Sequence, residues 1–288
     1  MKNFKSILLL ISLMSVLSSC TKDDTAPDYT YNLCVEIEPL TEFAAIGKEK
    51  FMPNDSISLF AWKKDVEIVD SSNFVLNNIR FGYNGADWNT FAELVPEAAK
   101  DVYNIIVLHP QLSSNCDMKY LTSVPLNPET DLLYSKINTD NAQLPETFTL
   151  KSVFAALMIS FVNGDAPAVN SFSLKMNNQA YLNALTGEVR TTDNKETVVL
   201  NKSNKINSMF CSRIVPQTLL SGTIFTVSGI KYTYEGDNVN IGPGEEIILS
   251  FNVIPGEIED KGIVTILDKE DFDIKDFDDN GTVEGELD

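Results

Sequence analysis

Histidine is almost missing from this chain: His109 is the only one in 288 residues. It stands before Pro110 at the end of an apolar run, and no serine or cysteine motif points to it. GxSxG, HExxH, P-loop and dinucleotide fingerprints are missing too. Carboxylates abound, but no catalytic pair can be picked out of 41 by sequence, so the chain is read as no enzyme. Positive charge is scarce as well, with 22 Lys and Arg against 41 Asp and Glu and a net charge of −19. Such a chain repels nucleic acid, and it has no basic stripe to override the repulsion. Cysteine is sparse. Beyond Cys20 there are Cys34, Cys116 and Cys211, an odd set without CxxC spacing, which indicates neither a disulfide framework nor a zinc site. Past the first twenty residues, no apolar run approaches the ~20 residues of a membrane-crossing helix.

What is present begins at the N-terminus. Lys2 and Lys5 precede an apolar run from Ile7 to Leu17, the layout of a bacterial secretory signal. Leu17-Ser18-Ser19-Cys20 then reads as a lipobox, with the signal (1–19) removed and Cys20 carrying covalent lipid as the anchor. Several acyl chains at ~0.8 kcal/mol per buried CH₂ hold a protein to a membrane far more firmly than one. Losing Lys2 and Lys5 moves the formal charge from −19 to −21. Residues 20–28 read as an unfolded tether. Its Lys22-Asp23-Asp24 resembles the surface-export signal of lipoproteins in a group of gut anaerobes, so the expected location is the outer membrane, at the cell surface.

Beyond the tether the pattern is β throughout. Tyr29–Leu40 alternates, with Leu33, Val35 and Ile37 on one face and Cys34, Glu36 and Glu38 on the other. Phe51-Met52-Pro53-Asn54-Asp55 reads as a turn into a strand at Ser56–Trp62. Asn73–Tyr83 alternates again, Gly85-Ala86-Asp87-Trp88 reads as a turn, and Val102–Leu108 is a continuous run that predicts a strand buried on both faces. Leu112–Thr130 reads as loop, with Pro125 and Pro128. Phe148–Val162 is the strongest apolar stretch and predicts one long central strand. Short strands then recur about every ten residues: Phe172–Met176, Gly187–Thr191, Glu196–Leu200, Met209–Val215, Ile224–Val227, Lys231–Tyr234 and Ile247–Val253. Such punctuation argues for β-sandwiches. The length suits two domains, divided near Pro145: 29–145 and 146–288.

One stretch has a metal-like pattern. Asp276, Asp278 and Asn280 with Gly281 match the opening of a calcium loop, but its twelfth position falls on Leu287, where a carboxylate belongs. The segment is acidic throughout and reads more simply as a solvated tail. No metal and no cofactor other than the lipid on Cys20 is expected.

Taken in order, these elements resemble the fimbrillin-like lipoproteins. Phe51-Met52-Pro53-Asn54-Asp55-Ser56-Ile57-Ser58-Leu59-Phe60-Ala61 is similar to a strand entry of that family. Tyr83–Trp88, Val102–Pro110, Asp131–Ser135, Phe154–Leu157, Leu185–Val189 and Val215–Thr218 fall where the family has similar elements. The resemblance covers nearly the whole chain after Cys20. It implies an all-β fold of two tandem transthyretin-like β-sandwich domains, and assembly with other fimbrial subunits by donor-strand exchange into adhesive surface fibres. The first strand is then the one to leave, and Ile263–Ile274 the segment to be donated. Many such subunits are cut at an arginine after the first strand, but this chain has none between Cys20 and Arg80. Lys48 and Lys50 occupy that loop, which implies either a lysine-cut stalk unit or an uncut subunit held by its lipid. A different function, surface glycan binding, would use Trp62, Trp88 and nearby tyrosines as its platform.

Overall fold

The computed structural model describes residues 33–40, 46–90, 101–113, 118–140, 144–161, 171–203, 209–251 and 262–264. They form an all-β protein. The first sheet has seven strands: β1 (Cys34–Glu38), β2 (Ser56–Trp62), β3 (Leu76–Tyr83), β4 (Trp88–Thr90), β5 (Asn104–His109), β7 (Leu133–Asn138) and β8 (Thr147–Ser152), in the order β1-β8-β7-β5-β2-β3-β4. β5 is buried on both faces, as its unbroken apolar run predicts. Its Ile106 lies opposite Phe60 and its Val107 opposite Leu59, so β2 and β5 send one layer to each side of the sheet.

The turn before β2 follows from its sequence. Met52 O accepts from Asp55 N–H at 2.9 Å, Pro53 fills the second position, and Asn54 at φ +77° fills the third. Proline's fixed φ and asparagine's tolerance of positive φ suit those two places in a type II turn.

The second sheet has eight strands: β9 (Ala155–Phe161), β10 (Phe172–Asn177), β13 (Lys195–Lys202), β14 (Met209–Ile214), β16 (Ile224–Val227), β17 (Ile230–Tyr234), β19 (Glu246–Phe251) and β20 (Gly262–Val264). It folds over on itself at β13. Lys195–Leu200 of that strand pair with β10, while Asn201 and Lys202 pair with β14. Side chains from the two halves, such as Leu157 and Leu249 on one and Phe172 and Phe225 on the other, share one buried cluster, which makes the folded sheet a sandwich. A ribbon of β15 (Gln217–Leu219) and β18 (Val239–Ile241) adds Leu219 and Ile241 to that cluster.

A small sheet joins the two parts. β6 (Val124–Leu126) pairs with β11 (Ala180–Asn183), which pairs with β12 (Glu188–Thr191). Phe60, Ile106 and Leu126 pack with Leu182, Ala184 and Val215 in a second buried cluster, so the two halves of the chain share a core.

Three readings are corrected. Phe148–Val162 is not one strand: β8 belongs to the first sheet and β9 to the second, and the chain crosses at Val153-Phe154. The crossing is bonded, because Val153 N–H donates to Leu132 O and the Ser152 hydroxyl accepts from Phe154 N–H. Leu112–Thr130 is not all loop, since it holds β6 and one helical turn, α1 (Met118–Leu121). Pro125 is tolerated in β6 because that strand is an edge. Trp88, read within a turn, opens β4.

Candidate assembly edge

β1 alternates as its sequence predicts, with Leu33 and Val35 buried, Ile37 half-buried, and Cys34, Glu36 and Glu38 exposed or nearly so. It runs parallel to β8 from Cys34 opposite Thr147 to Glu38 opposite Lys151. Cys34 N–H donates to Glu146 O at 2.8 Å. On its other side, Leu33 forms an antiparallel bridge with Trp88 of β4. β1 and β4 are the two outermost strands of the first sheet, so this segment closes that sheet on itself. Its exposed Lys151–Glu38 ion pair, at 2.7 Å, adds little. The apolar face carries the seat: full burial is worth roughly 1.5–3 kcal/mol for a Leu or Val side chain.

Among its described residues, the loop after β1 comes close to the rest of the protein at Gly47 and Lys48. Gly47 adopts φ +84°, and a Cβ there would stand 2.9 Å from Asp131 Oδ2, so only glycine lets the backbone come this close. The next residue, Lys48, donates its backbone N–H to that same oxygen. Asp131 Oδ1 accepts from the Ser152 hydroxyl at 3.2 Å and lies 3.3 Å from Arg213 Nη1. The Asp131 and Arg213 side chains are 11% and 13% exposed. Arg213 also donates from Nε and Nη2 to Pro128 O, and its guanidinium lies over the Phe154 ring at 5.0 Å. Burial holds Arg213 below the usual guanidinium range, and Asp131 opposes that shift.

The Lys48 side chain points to another carboxylate, Asp55, with Nζ at 2.8 Å from Oδ2. Asp55 also accepts from Met52 N–H at 2.6 Å and lies 4.0 Å from His109 Nε2. Burial pushes Asp55 up, but Lys48, the Met52 N–H and the His109 charge outweigh it and hold the carboxyl below its ordinary range. His109 is buried, with Nδ1 2.9 Å from Ser56 O and its ring edge-on to Phe51. The carbonyl only accepts, so Nδ1 carries the proton. Burial, more than anything else, depresses its pKa. The single histidine thus braces the start of β2. Lys50, in contrast, is exposed.

Ile46 packs onto Met158, Met209 and Cys211 on the outer face of the second sheet. Beside it an open groove of about 530 Å³ runs between Gly47, Pro128, Asn201, Lys202 and Cys211. Cys211 and Cys34 are free thiols, one buried and one exposed, and burial raises the pKa of Cys211. Cys116 lies outside the described residues, as do Cys20 and the calcium-loop candidates Asp276, Asp278 and Asn280. Among the described residues, no group of three or more His, Cys, Asp or Glu is arranged to hold a metal ion. Nor is any helix among them long and apolar enough to cross a membrane.

The glycan platform does not form. Trp62 is buried edge-on against Phe74, and Trp88 is buried between Phe51 and Tyr83. Sequence reasoning brought Lys48 and Lys50 forward but missed Asp131 and Arg213. The one available signal was Arg213 itself, a charge inside the apolar strand Met209–Ile214, where burial requires a partner.

No curated protein matches the chain. Among solved structures, a candidate cell adhesion protein from Bacteroides ovatus superposes with TM-score 0.50 at 13% identity, covering 80% of this chain and 96% of that one, and so shares the fold. Also similar are a candidate cell adhesion protein from Bacteroides thetaiotaomicron (14% identity, TM-score 0.48, 78% and 97% covered) and the tip fimbrial protein Mfa3 from Porphyromonas gingivalis (12%, 0.44, 75% and 95%). A family model described as fimbrillin-like matches residues 45–268, most of the sequence. This chain belongs to the fimbrillin-like family.

Proposed function

We propose that the protein is a non-catalytic subunit of an adhesive surface fibre, attached to the outer membrane through lipid on Cys20, in which β1 is the replaceable strand. Its two tandem sandwich domains are of the transthyretin-like kind, with the division at the Val153-Phe154 crossing rather than near Pro145, since β8 pairs with β1 and β7 in the first sheet. The observation that carries this reading is the placement of β1, seated along β8 and bridged through Leu33 to Trp88. Taking it away uncovers an apolar groove, the row of backbone groups along β8 and the Trp88 bridge site, which an extended segment of another subunit can fill. Nothing else in the first sheet need move, because both flanking strands are held from their other sides by β7 and β3.

Membership of the fimbrillin-like family supports the same role. Electron microscopy of cells with and without the protein tests it. Fibres that shorten, thin out or vanish on deletion support the role, and unchanged fibres on both cell types overturn it.

A further inference from the structure

Resting on that reading, we infer that Asp131, held by Arg213, is a latch that keeps β1 seated after the chain is cut at Lys50. Cutting and strand release are then separate steps. Lys48 is bonded twice, to Asp131 through its backbone N–H and to Asp55 through its side chain at 2.8 Å. Both partners lie downstream of Lys50, so both bonds span the cut and survive it. Ile46 adds a third tie, packed on Met158, Met209 and Cys211, all of them also downstream.

The carboxylate is also held from outside the loop. Arg213 is itself held by Pro128 O and the Phe154 ring, and Ser152 donates to the same carboxylate. A bond from N–H to a prealigned, largely buried charge is among the stronger kinds. Removing it leaves the Asp131 carboxylate one donor short at 11% exposure. Gly47 is the complementary part, since any side chain there meets Asp131 Oδ2. The cut fragment therefore leaves slowly by itself, and exchange waits on an incoming strand or a pull.

The test uses the full chain with a recognition site for a sequence-specific protease inserted after Lys50, so it does not depend on how the chain is processed on cells. After cutting, gel filtration and mass spectrometry follow the fragment that holds β1. The unsubstituted chain is expected to keep it. Asp131→Asn and Gly47→Ala are expected to lose it roughly tenfold faster or more, as interaction losses fall mainly on the off-rate. Gly47→Ala alters only the loop side and decides the matter if Asp131→Asn does not fold uncut. A fragment that leaves the unsubstituted chain as fast as it leaves Gly47→Ala overturns the latch. Fragment that leaves without any multimers forming overturns strand exchange and spares the latch.

Discussion

Leu33 and Trp88 form a backbone bridge between the first strand and the far edge of the same sheet. The bridge puts the start of β1 between two strands that are remote in the sheet order, so one short segment completes the first sheet. Trp88 is packed edge-on to Phe51 at 4.8 Å and lies 5.1 Å from Tyr83, next to the turn that launches β2. Closure and the start of β2 thus share one aromatic cluster.

Trp88→Ala is therefore expected to destabilise the uncut protein by about 3–5 kcal/mol, the range for deleting a large buried ring. Urea denaturation followed by circular dichroism measures it. A loss below about 1 kcal/mol would mean that the ring is not part of the core.

The Asp55–His109 pair sets an acid response in two stages. His109 has a depressed pKa when folded, so below its unfolded value of ~6.5 the unfolded chain binds more protons. Stability is full above that value and falls as the pH drops through the folded one. Asp55, held below 3.8, adds a second loss as the pH falls through that value. Melting temperature against pH is expected to decline from pH 6.5 downward, and His109→Gln should remove the upper stage alone. A profile flat between pH 7 and 4.5 in the unsubstituted protein contradicts this.

Lys50 is exposed while Lys48 is paired with Asp55 and bonded to Asp131. Within this loop, limited digestion with a lysine-specific protease is expected to cut after Lys50 and give a chain that starts at Phe51. Lys50→Ala should abolish that product, whereas Lys48→Ala should not. N-terminal sequencing of the large fragment reads the result, and a start at Glu49 would contradict it.

Cys20→Ala is expected to abolish lipid attachment. Metabolic labelling with a clickable palmitate analogue checks this, and label retained on the substituted protein removes the anchor from Cys20.

Much of the edge was legible in the sequence because its signals are local. The alternation at Leu33, Val35 and Ile37 needs only period two, and Pro53-Asn54 names its own turn. The doubly buried β5 shows in Ile105–Leu108 for the same reason. The crossing at Val153-Phe154 was not legible, because apolar residues continue through it on both sides and only the bonds to Leu132 and Ser152 mark the break. Asp131 and Arg213 were equally hidden. Each is an ordinary charge until the fold brings together residues more than eighty positions apart, and no periodicity encodes such a pairing. β6 was masked by Pro125, a residue that argues against a strand everywhere except at an edge.

The central claim is that β1 can be exchanged for a strand of another chain. Its most direct measurement is the multimer state of protein cut after Lys50 and freed of its β1 fragment, read by light scattering and by SDS gels without heating. SDS-resistant ladders are predicted, suppressed by excess synthetic peptide spanning Tyr29–Leu40. A chain that stays monomeric at high concentration with β1 gone, or ladders indifferent to the peptide, would contradict the claim.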